Sequence, residues 1–191
     1  AFVGGRGTPH LFGYLSDHGD TIGEHGVFGK KTFFEKSVKI PLLLAGTGVA
    51  AGRRWDEPVS ILDVGPTVCE WAGADAPERA DGQSLAQILR GQDGPRGRAV
   101  LSESMDKGPD GRWTYGCMAR RGTYKFITYH GYEEQEMLFD VAADPLEQNN
   151  LAAARPQVCD GFRRLLRQVM DPAAAEALQA QHAGRARLMA A

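Results

Sequence analysis

Residues 16–35 read SDHGDTIGEHGVFGKKTFFE, and this glycine-rich stretch separates two short apolar segments. The first segment, residues 11–16, ends directly before Asp17 and His18, and the second, residues 40–45, is almost continuously apolar. A short apolar run of this kind is typical of a strand covered on both faces, as in a parallel sheet. In open α/β sheets, ligands bind beyond the carboxyl ends of the strands. The stretch therefore predicts an α/β fold with a ligand site in this loop.

Three side chains of the loop carry candidate chemistry. Asp17 and His18 offer two ligands for a divalent cation, and Lys30 offers a positive charge for an anionic substrate. Each has an ordinary alternative, because an Asp-His-Gly sequence is most often a turn in which the aspartate accepts bonds from nearby backbone N–H groups. A lysine next to another lysine is usually a solvated charge. Their combination in one loop is what favours a functional site.

The bulk composition is that of an ordinary folded protein. Hydrophobic residues make up 42% of the 191 residues and charged residues 24%, with a formal net charge of −2. Proteins that bind nucleic acids normally present a basic face, so we do not expect a nucleic-acid partner. An anionic ligand must be held by a local site rather than by the field of the whole protein.

The cysteines and the apolar runs exclude two further classes. Cys69, Cys117 and Cys159 are far apart and form no Cys-x-x-Cys pair, so neither a zinc cluster nor a disulfide framework is expected. The three cysteines are predicted to be small buried apolar side chains. The uninterrupted apolar runs are too short for a transmembrane helix. The compartment, cytoplasmic or periplasmic, stays open.

Residues 1–97 are predicted to form a partial α/β catalytic core. Residues 1–9 have no helical or strand period and indicate a loop. Apolar residues at helical spacing predict a helix from Pro58 to about Gly73 and a short helix over residues 84–89. Strand and helix signals alternate in this half of the chain, as they do in α/β layer structures.

Residues 98–191 are predicted to form a separate subdomain, a small antiparallel sheet followed by a helix. The strand-like segments are residues 99–101, 114–120, 124–129 and 137–141. Arg121-Gly122 lies where a tight connection between two of them is expected. An amphipathic helix is predicted from Pro156 and is stopped by Asp171-Pro172.

Four segments resemble sulfatases of the alkaline-phosphatase superfamily, of the choline-sulfatase and arylsulfatase type. Residues 29–35, GKKTFFE, are similar to the second sequence box of the family, and Lys30 follows Asp17 at the usual spacing of thirteen positions. The other three segments are residues 56–67, 81–85 and 137–151. The resemblance implies an α/β fold, namely the C-terminal part of an alkaline-phosphatase-like sandwich with a small antiparallel sheet and helix subdomain.

The resemblance also implies roles for the loop residues. Asp17 and His18 correspond to the last two protein ligands of a divalent cation, with Ca²⁺ favoured and Mn²⁺ or Zn²⁺ as alternatives because one ligand is a histidine. Lys30 corresponds to the lysine that contacts the anion of a small sulfate-ester substrate. His25 stands where related sequences often have histidine or arginine, so it either contacts the substrate or supports the site. The oligomeric state is left open.

Two parts of the family's site are missing from the sequence. No cysteine or serine begins a Cys/Ser-x-Pro-x-Arg box, which supplies the formylglycine nucleophile of sulfatases, and the paired aspartates that complete the metal site are absent. Their place would be before residue 1, so we expect a truncated chain. In the intact enzyme the resemblance implies that a formylglycine hydrate attacks sulfur while the cation polarises the sulfate oxygens.

Other functions stay open on the sequence alone. A phosphonate monoester or phosphodiester hydrolase of the same superfamily would use the same Asp-His pair and lysine. The isolated chain is alternatively a catalytically inactive remnant with half a metal site, or the loop is purely structural. A parallel sheet without its central strands would leave edges and apolar faces uncovered, so self-association is expected.

Overall fold

The computed structural model describes residues 9–107, 111, 113–177 and 180. These residues group into two compact units. The first comprises the described residues up to Lys30 together with Lys36–Arg98, and the second comprises Lys31–Glu35 together with the described residues from Ala99 onward. Residues 1–8 of the predicted opening loop lie outside the described residues. The assignment of residues 1–97 to a catalytic core and of 98–191 to a subdomain stays a prediction.

The first unit contains two short antiparallel ladders. They are formed by β1 (Leu11–Leu15) with β4 (Leu42–Gly46), and by β2 (Thr21–Ile22) with β3 (Phe28–Gly29). A 3₁₀ turn, Glu24–Gly26, connects β2 to β3. A short helix, α1 (Glu35–Val38), precedes β4 in the chain. The loop that the sequence singled out therefore starts where β1 ends and includes the whole β2–β3 hairpin.

The prediction of a parallel sheet strand at residues 40–45 is wrong. The strand exists, but β4 is antiparallel to β1, and its residues alternate between exposed and half-buried. Tyr14 and Leu43 lie opposite each other in the ladder and are 57% and 61% exposed. An apolar run predicts a strand well, but the direction of its neighbour depends on the connection between them, which the run itself does not encode.

We expect the chain to self-associate through this apolar face. Phe12, Tyr14 and Leu43 lie on one side of the ladder, because side chains two residues apart share a face and Tyr14 is opposite Leu43. All three are exposed, and contiguous apolar surface promotes association. Light scattering should give an apparent mass that exceeds the 20.7 kDa of one chain and increases with protein concentration. Leu43→Ser should lower this apparent mass. Val68→Ser is the control: Val68 is an exposed apolar residue of another element, and its replacement should leave the apparent mass unchanged. A monodisperse wild-type monomer would contradict the prediction.

A capping box begins the next helical segment of the first unit. The Ser60 hydroxyl accepts a bond from the Leu62 N–H at 3.2 Å, and the Asp63 carboxylate accepts one from the Ser60 N–H at 2.8 Å. A 3₁₀ turn, Ile61–Asp63, then leads into α2 (Val64–Trp71), and α3 (Ala86–Leu89) follows. Both predicted helices are confirmed, although each is shorter than the sequence pattern suggested.

The second unit is built on a four-stranded antiparallel sheet with strands in sequence order. The strands are β5 (Ala99–Lys107), β6 (Trp113–Arg121), β7 (Tyr124–Tyr129) and β8 (Met137–Asp140). The helix α4 (Pro156–Leu166) packs on this sheet, with the rings of Phe126 and Phe162 stacked at 5.7 Å. The predicted sheet and helix are confirmed, and α4 ends before the predicted stop at Asp171-Pro172. None of the helices in the described part of the chain has the length and apolar character to cross a membrane.

The cysteines should differ sharply in reactivity. All three are free thiols; Cys117 and Cys159 are buried as predicted, whereas Cys69 is half-buried. Burial raises the pKa of Cys117 to about 11 and also raises the pKa of Cys159, so neither is a thiolate near neutral pH. Iodoacetamide at about pH 8 should label Cys69 and spare the other two until the fold is opened. Mass spectrometry that finds Cys117 labelled as fast as Cys69 would contradict this burial.

Candidate functional site

The chain turns sharply where β1 ends, and this turn presents Asp17. The Ser16 hydroxyl donates to the carbonyl of His18 at 2.7 Å, and Asp17 Oδ1 accepts a bond from the His18 N–H at 3.0 Å. This is the ordinary turn geometry of an Asp-His-Gly sequence. The second carboxylate oxygen, Oδ2, lies 3.5 Å from His18 Nε2. The turn therefore uses one oxygen of Asp17 and leaves the other beside the imidazole.

The orientation of the His18 ring determines which nitrogen can accept. Nδ1 lies 2.7 Å from the carbonyl oxygen of Gly19, which can only accept, so Nδ1 carries the proton. Nε2 then keeps its lone pair, and the Lys30 ammonium nitrogen lies 2.6 Å from it. An ammonium group can only donate, so this contact agrees with the same tautomer. His18 thus presents an acceptor nitrogen on the side of Asp17 and Lys30.

Asp17 and His18 have the spacing of two neighbouring metal ligands. Two ligands at about 2.3 Å from one cation and at right angles to each other lie roughly 3.3 Å apart, close to the 3.5 Å between Asp17 Oδ2 and His18 Nε2. The donors, one carboxylate oxygen and one neutral imidazole nitrogen, fit a divalent cation. Within the described residues, no three histidine, cysteine, aspartate or glutamate side chains gather in a way that could hold a metal. Asp17 and His18 can therefore supply two ligands of a cation, which is only part of its coordination shell.

The surroundings of Asp17 favour its charged form. The backbone N–H of His18 contributes most to lowering the pKa of Asp17, and the nearby His18 and Lys30 side chains lower it further. The carboxylate therefore stays ionised to a lower pH than an ordinary aspartate does. A ligand of this kind loses a cation to protonation only in acid.

Lys30 and its neighbour Lys31 are in different surroundings. Lys30 contacts His18, whereas Lys31 forms an ion pair with Asp106 at 2.8 Å. Both lysines are exposed, as the ordinary interpretation of a lysine pair expects, and the contact with His18 is what distinguishes Lys30. The structure thus brings together Asp17, His18 and Lys30; their roles stay predictions.

His25 lies on the exposed 3₁₀ turn between β2 and β3. Its backbone has φ of 55°, a left-handed conformation in which histidine is enriched among non-glycine residues. Its neighbour Glu24 accepts a bond from the Ile22 N–H at 2.8 Å, which stabilises the turn. A contribution of His25 to substrate binding stays a prediction.

Two residues that bond the backbone of this loop, Thr21 in β2 and Ser37 in α1, were missed by the sequence reasoning. Thr21 and Ser37 are buried, and their hydroxyls bond the carbonyls of Gly29 and Lys30. In sequence both look like ordinary small polar residues, Thr21 within the glycine-rich stretch and Ser37 just after it. Their burial depends on β2 pairing with β3 and on the return of the chain at α1, which no local pattern reveals.

Comparison with known proteins identifies the family of the chain. A family model described as N-sulphoglucosamine sulphohydrolase, C-terminal, matches residues 23–171, which is most of the chain. The chain belongs to the sulfatase family. This confirms the resemblance on which the sequence interpretation relied.

Two curated relatives of this sulfatase chain support the assignment. Arylsulfatase K of Danio rerio is 34% identical over 170 residues, which cover 83% of this chain and 31% of the relative. The choline-sulfatase of Rhizobium meliloti (strain 1021) is 38% identical over 142 residues, which cover 73% of this chain and 26% of the relative. The sulfatase chain thus spans about a third of the length of such relatives.

A solved structure supports the fold of the sulfatase chain. The structure of a 2-O GAG sulfatase matches it with a TM-score of 0.73 at 30% identity. The match covers 83% of this chain and 35% of the other. The predicted α/β fold of alkaline-phosphatase type is therefore confirmed.

Proposed function

We propose that this chain carries the metal- and substrate-binding loop of a metal-dependent sulfatase that hydrolyses small anionic sulfate esters. The observation that supports this most directly is the contact of Lys30 Nζ with His18 Nε2, with Asp17 on the same side of the imidazole. An ammonium group beside a pair of metal donors suits an anion that is bound by the lysine and a cation together.

In this proposal Asp17 and His18 hold the cation. Ca²⁺ is favoured by the carboxylate oxygen, and Mn²⁺ or Zn²⁺ are the alternatives that a neutral imidazole permits. When bound, the cation would polarise the sulfate oxygens and the nucleophile. Because Nε2 has a single lone pair, Lys30 cannot keep its bond to His18 when the nitrogen serves as a metal ligand. Lys30 is then available to bind a sulfate oxygen and neutralise its charge, and His25 lies on the same loop to assist.

A chimera tests the proposal. The sequence has no Cys/Ser-x-Pro-x-Arg box, so we expect no turnover by the 191-residue chain alone. In the choline-sulfatase of Rhizobium meliloti, the region that matches this chain is replaced by residues 9–171. We expect the chimera to hydrolyse an aryl sulfate, and to lose this activity when Asp17→Ala removes a proposed metal ligand. A folded chimera without sulfatase activity would refute the proposal.

The related alternative is a phosphonate monoester or phosphodiester hydrolase, for which the same three side chains would serve. The chimera should be assayed with an aryl sulfate, an aryl phosphonate monoester and a phosphodiester under identical conditions. A higher kcat/KM for the aryl sulfate supports the sulfatase assignment of the loop. A preference for either phosphorus ester that the parent choline-sulfatase lacks would favour the alternative.

A further inference from the structure

Two buried hydroxyl groups converge on the backbone of Lys30. Thr21 and Ser37 are only 1% and 2% exposed. The Thr21 hydroxyl donates to the carbonyl of Gly29, and the Ser37 hydroxyl donates to the carbonyl of Lys30 at 2.7 Å. These two successive carbonyls lie on either side of the Lys30 Cα atom. The position of that Cα is therefore fixed from both sides by side chains outside its own turn, in β2 and in α1.

The same network reaches His18. The carbonyl of Ser37 accepts a bond from the Gly19 N–H at 2.7 Å, and the carbonyl of Gly19 accepts from His18 Nδ1 at 2.7 Å. Any side chain at position 19 would collide with the carbonyl oxygen of Lys36, so this close approach requires glycine. His18 and Lys30 are thus linked through Gly19 and Ser37, independently of their own side-chain contact.

We propose that Thr21 and Ser37 are positioning residues that hold Lys30 beside His18. Any buried hydroxyl needs a partner, so a bond by itself carries no functional meaning. The specific feature is that both hydroxyls bond the two carbonyls that flank the same lysine. Fixing the ammonium group of a lysine costs considerable side-chain entropy. When the Cα is already held at the right distance from His18, the Lys30 side chain has fewer alternative conformations to lose, so this entropic cost is smaller. The functional value of this geometry rests on the proposed function; the geometry itself does not.

The test is made on the complete 191-residue chain by NMR. The quantity measured is the nuclear Overhauser effect between the side-chain methylene protons of Lys30 and the ring protons of His18. We expect it to weaken in Thr21→Val and in Ser37→Ala and to be lost in the double variant. Ser37→Thr, which keeps a hydroxyl, should retain the effect. Amide spectra of the other elements show that each variant is folded.

Thr67→Val is the matched control. Thr67 is also 1% exposed in the same unit, and its hydroxyl accepts a bond from the Leu85 N–H at 2.8 Å, in contact with neither His18 nor Lys30. We expect this variant to be less stable but to keep the His18–Lys30 effect. The proposal is overturned if Thr21→Val and Ser37→Ala keep the wild-type intensity, or if Thr67→Val loses it equally.

A titration with Mn²⁺ separates this inference from the proposed function. The proposed function predicts that the paramagnetic ion broadens the signals of Asp17 and His18 first. If broadening occurs elsewhere while the variants behave as expected, the positioning role stands and the metal-binding assignment fails. If broadening centres on Asp17 and His18 while Thr21→Val and Ser37→Ala leave the Overhauser effect intact, the metal-binding assignment stands and the positioning role fails.

Discussion

Replacing Lys125 by alanine should lower the free energy of unfolding of the chain by about 3–5 kcal/mol. The Lys125 side chain is completely buried. Its ammonium group donates to the carbonyl of Phe33 at 2.8 Å and to Glu35 at 3.2 Å, and it forms an ion pair with Glu147. Removing the lysine would leave buried carboxylates without their main counter-charge.

The charges around Lys125 balance in the wild-type protein. Arg120 donates to Glu35 at 3.1 Å, so two cations face two carboxylates. Glu147 also accepts a bond from the Glu35 N–H at 2.6 Å, so its carboxylate serves both the lysine and the backbone. A balanced buried network of this kind contributes little to the net free energy of folding, because attraction between the charges offsets their loss of hydration. Removing one member is strongly destabilising, because the remaining charges stay buried without their partner.

Urea unfolding followed by circular dichroism measures the effect, and Arg163→Ala is the control. Arg163 pairs with Glu136 and Asp160; its own side chain is 39% exposed and that of Glu136 is 10% exposed, so its loss should cost less than that of Lys125, about 1–2 kcal/mol. Lys125→Met combined with Glu147→Gln should cost less than the sum of the single changes, because the pair is removed together. Equal losses in Lys125→Ala and Arg163→Ala would show that burial of the network is energetically unimportant.

This network illustrates what the sequence could not predict. Lys125 lies in a strand whose alternating pattern, together with the turn at Gly122, predicted β6 and β7 correctly. A lysine in such a pattern is ordinarily assigned to the solvent face, because lysine is almost never fully buried without a partner. Its partners Phe33 and Glu35 are 92 and 90 positions away, and no local pattern links them to it.

The candidate site shows the same division between local and distant information. The loop resembles that of the sulfatase family, and the spacing of Asp17 and Lys30 within it predicted that both residues lie in one site. The structure places both beside His18. The hydroxyls of Thr21 and Ser37 were not predictable, because their role depends on which carbonyls the folded loop brings within reach. Side chains that carry chemistry leave a pattern in sequence, whereas those that hold the backbone are recognised by their contacts.

Lys30→Ala should lower kcat/KM of the sulfatase chimera for an aryl sulfate by about 10²–10³-fold. The ammonium group of Lys30 places a positive charge beside the Asp17–His18 pair. Charge on the transferring group develops in the transition state, so losing a preorganised donor should affect kcat more than KM. Steady-state kinetics at saturating cation separate the two parameters.

Lys31→Ala is the matched control, since it removes the same charge one residue further along the chain. The Lys31 side chain is 76% exposed and pairs with Asp106, so its loss should change kcat/KM by about twofold at most. Lys30→Arg should recover only part of the activity, because the planar guanidinium keeps the charge but not the compact geometry of the ammonium group. If Lys30→Ala and Lys31→Ala reduce activity equally, the effect comes from general electrostatics, and Lys30 has no special contact with the substrate.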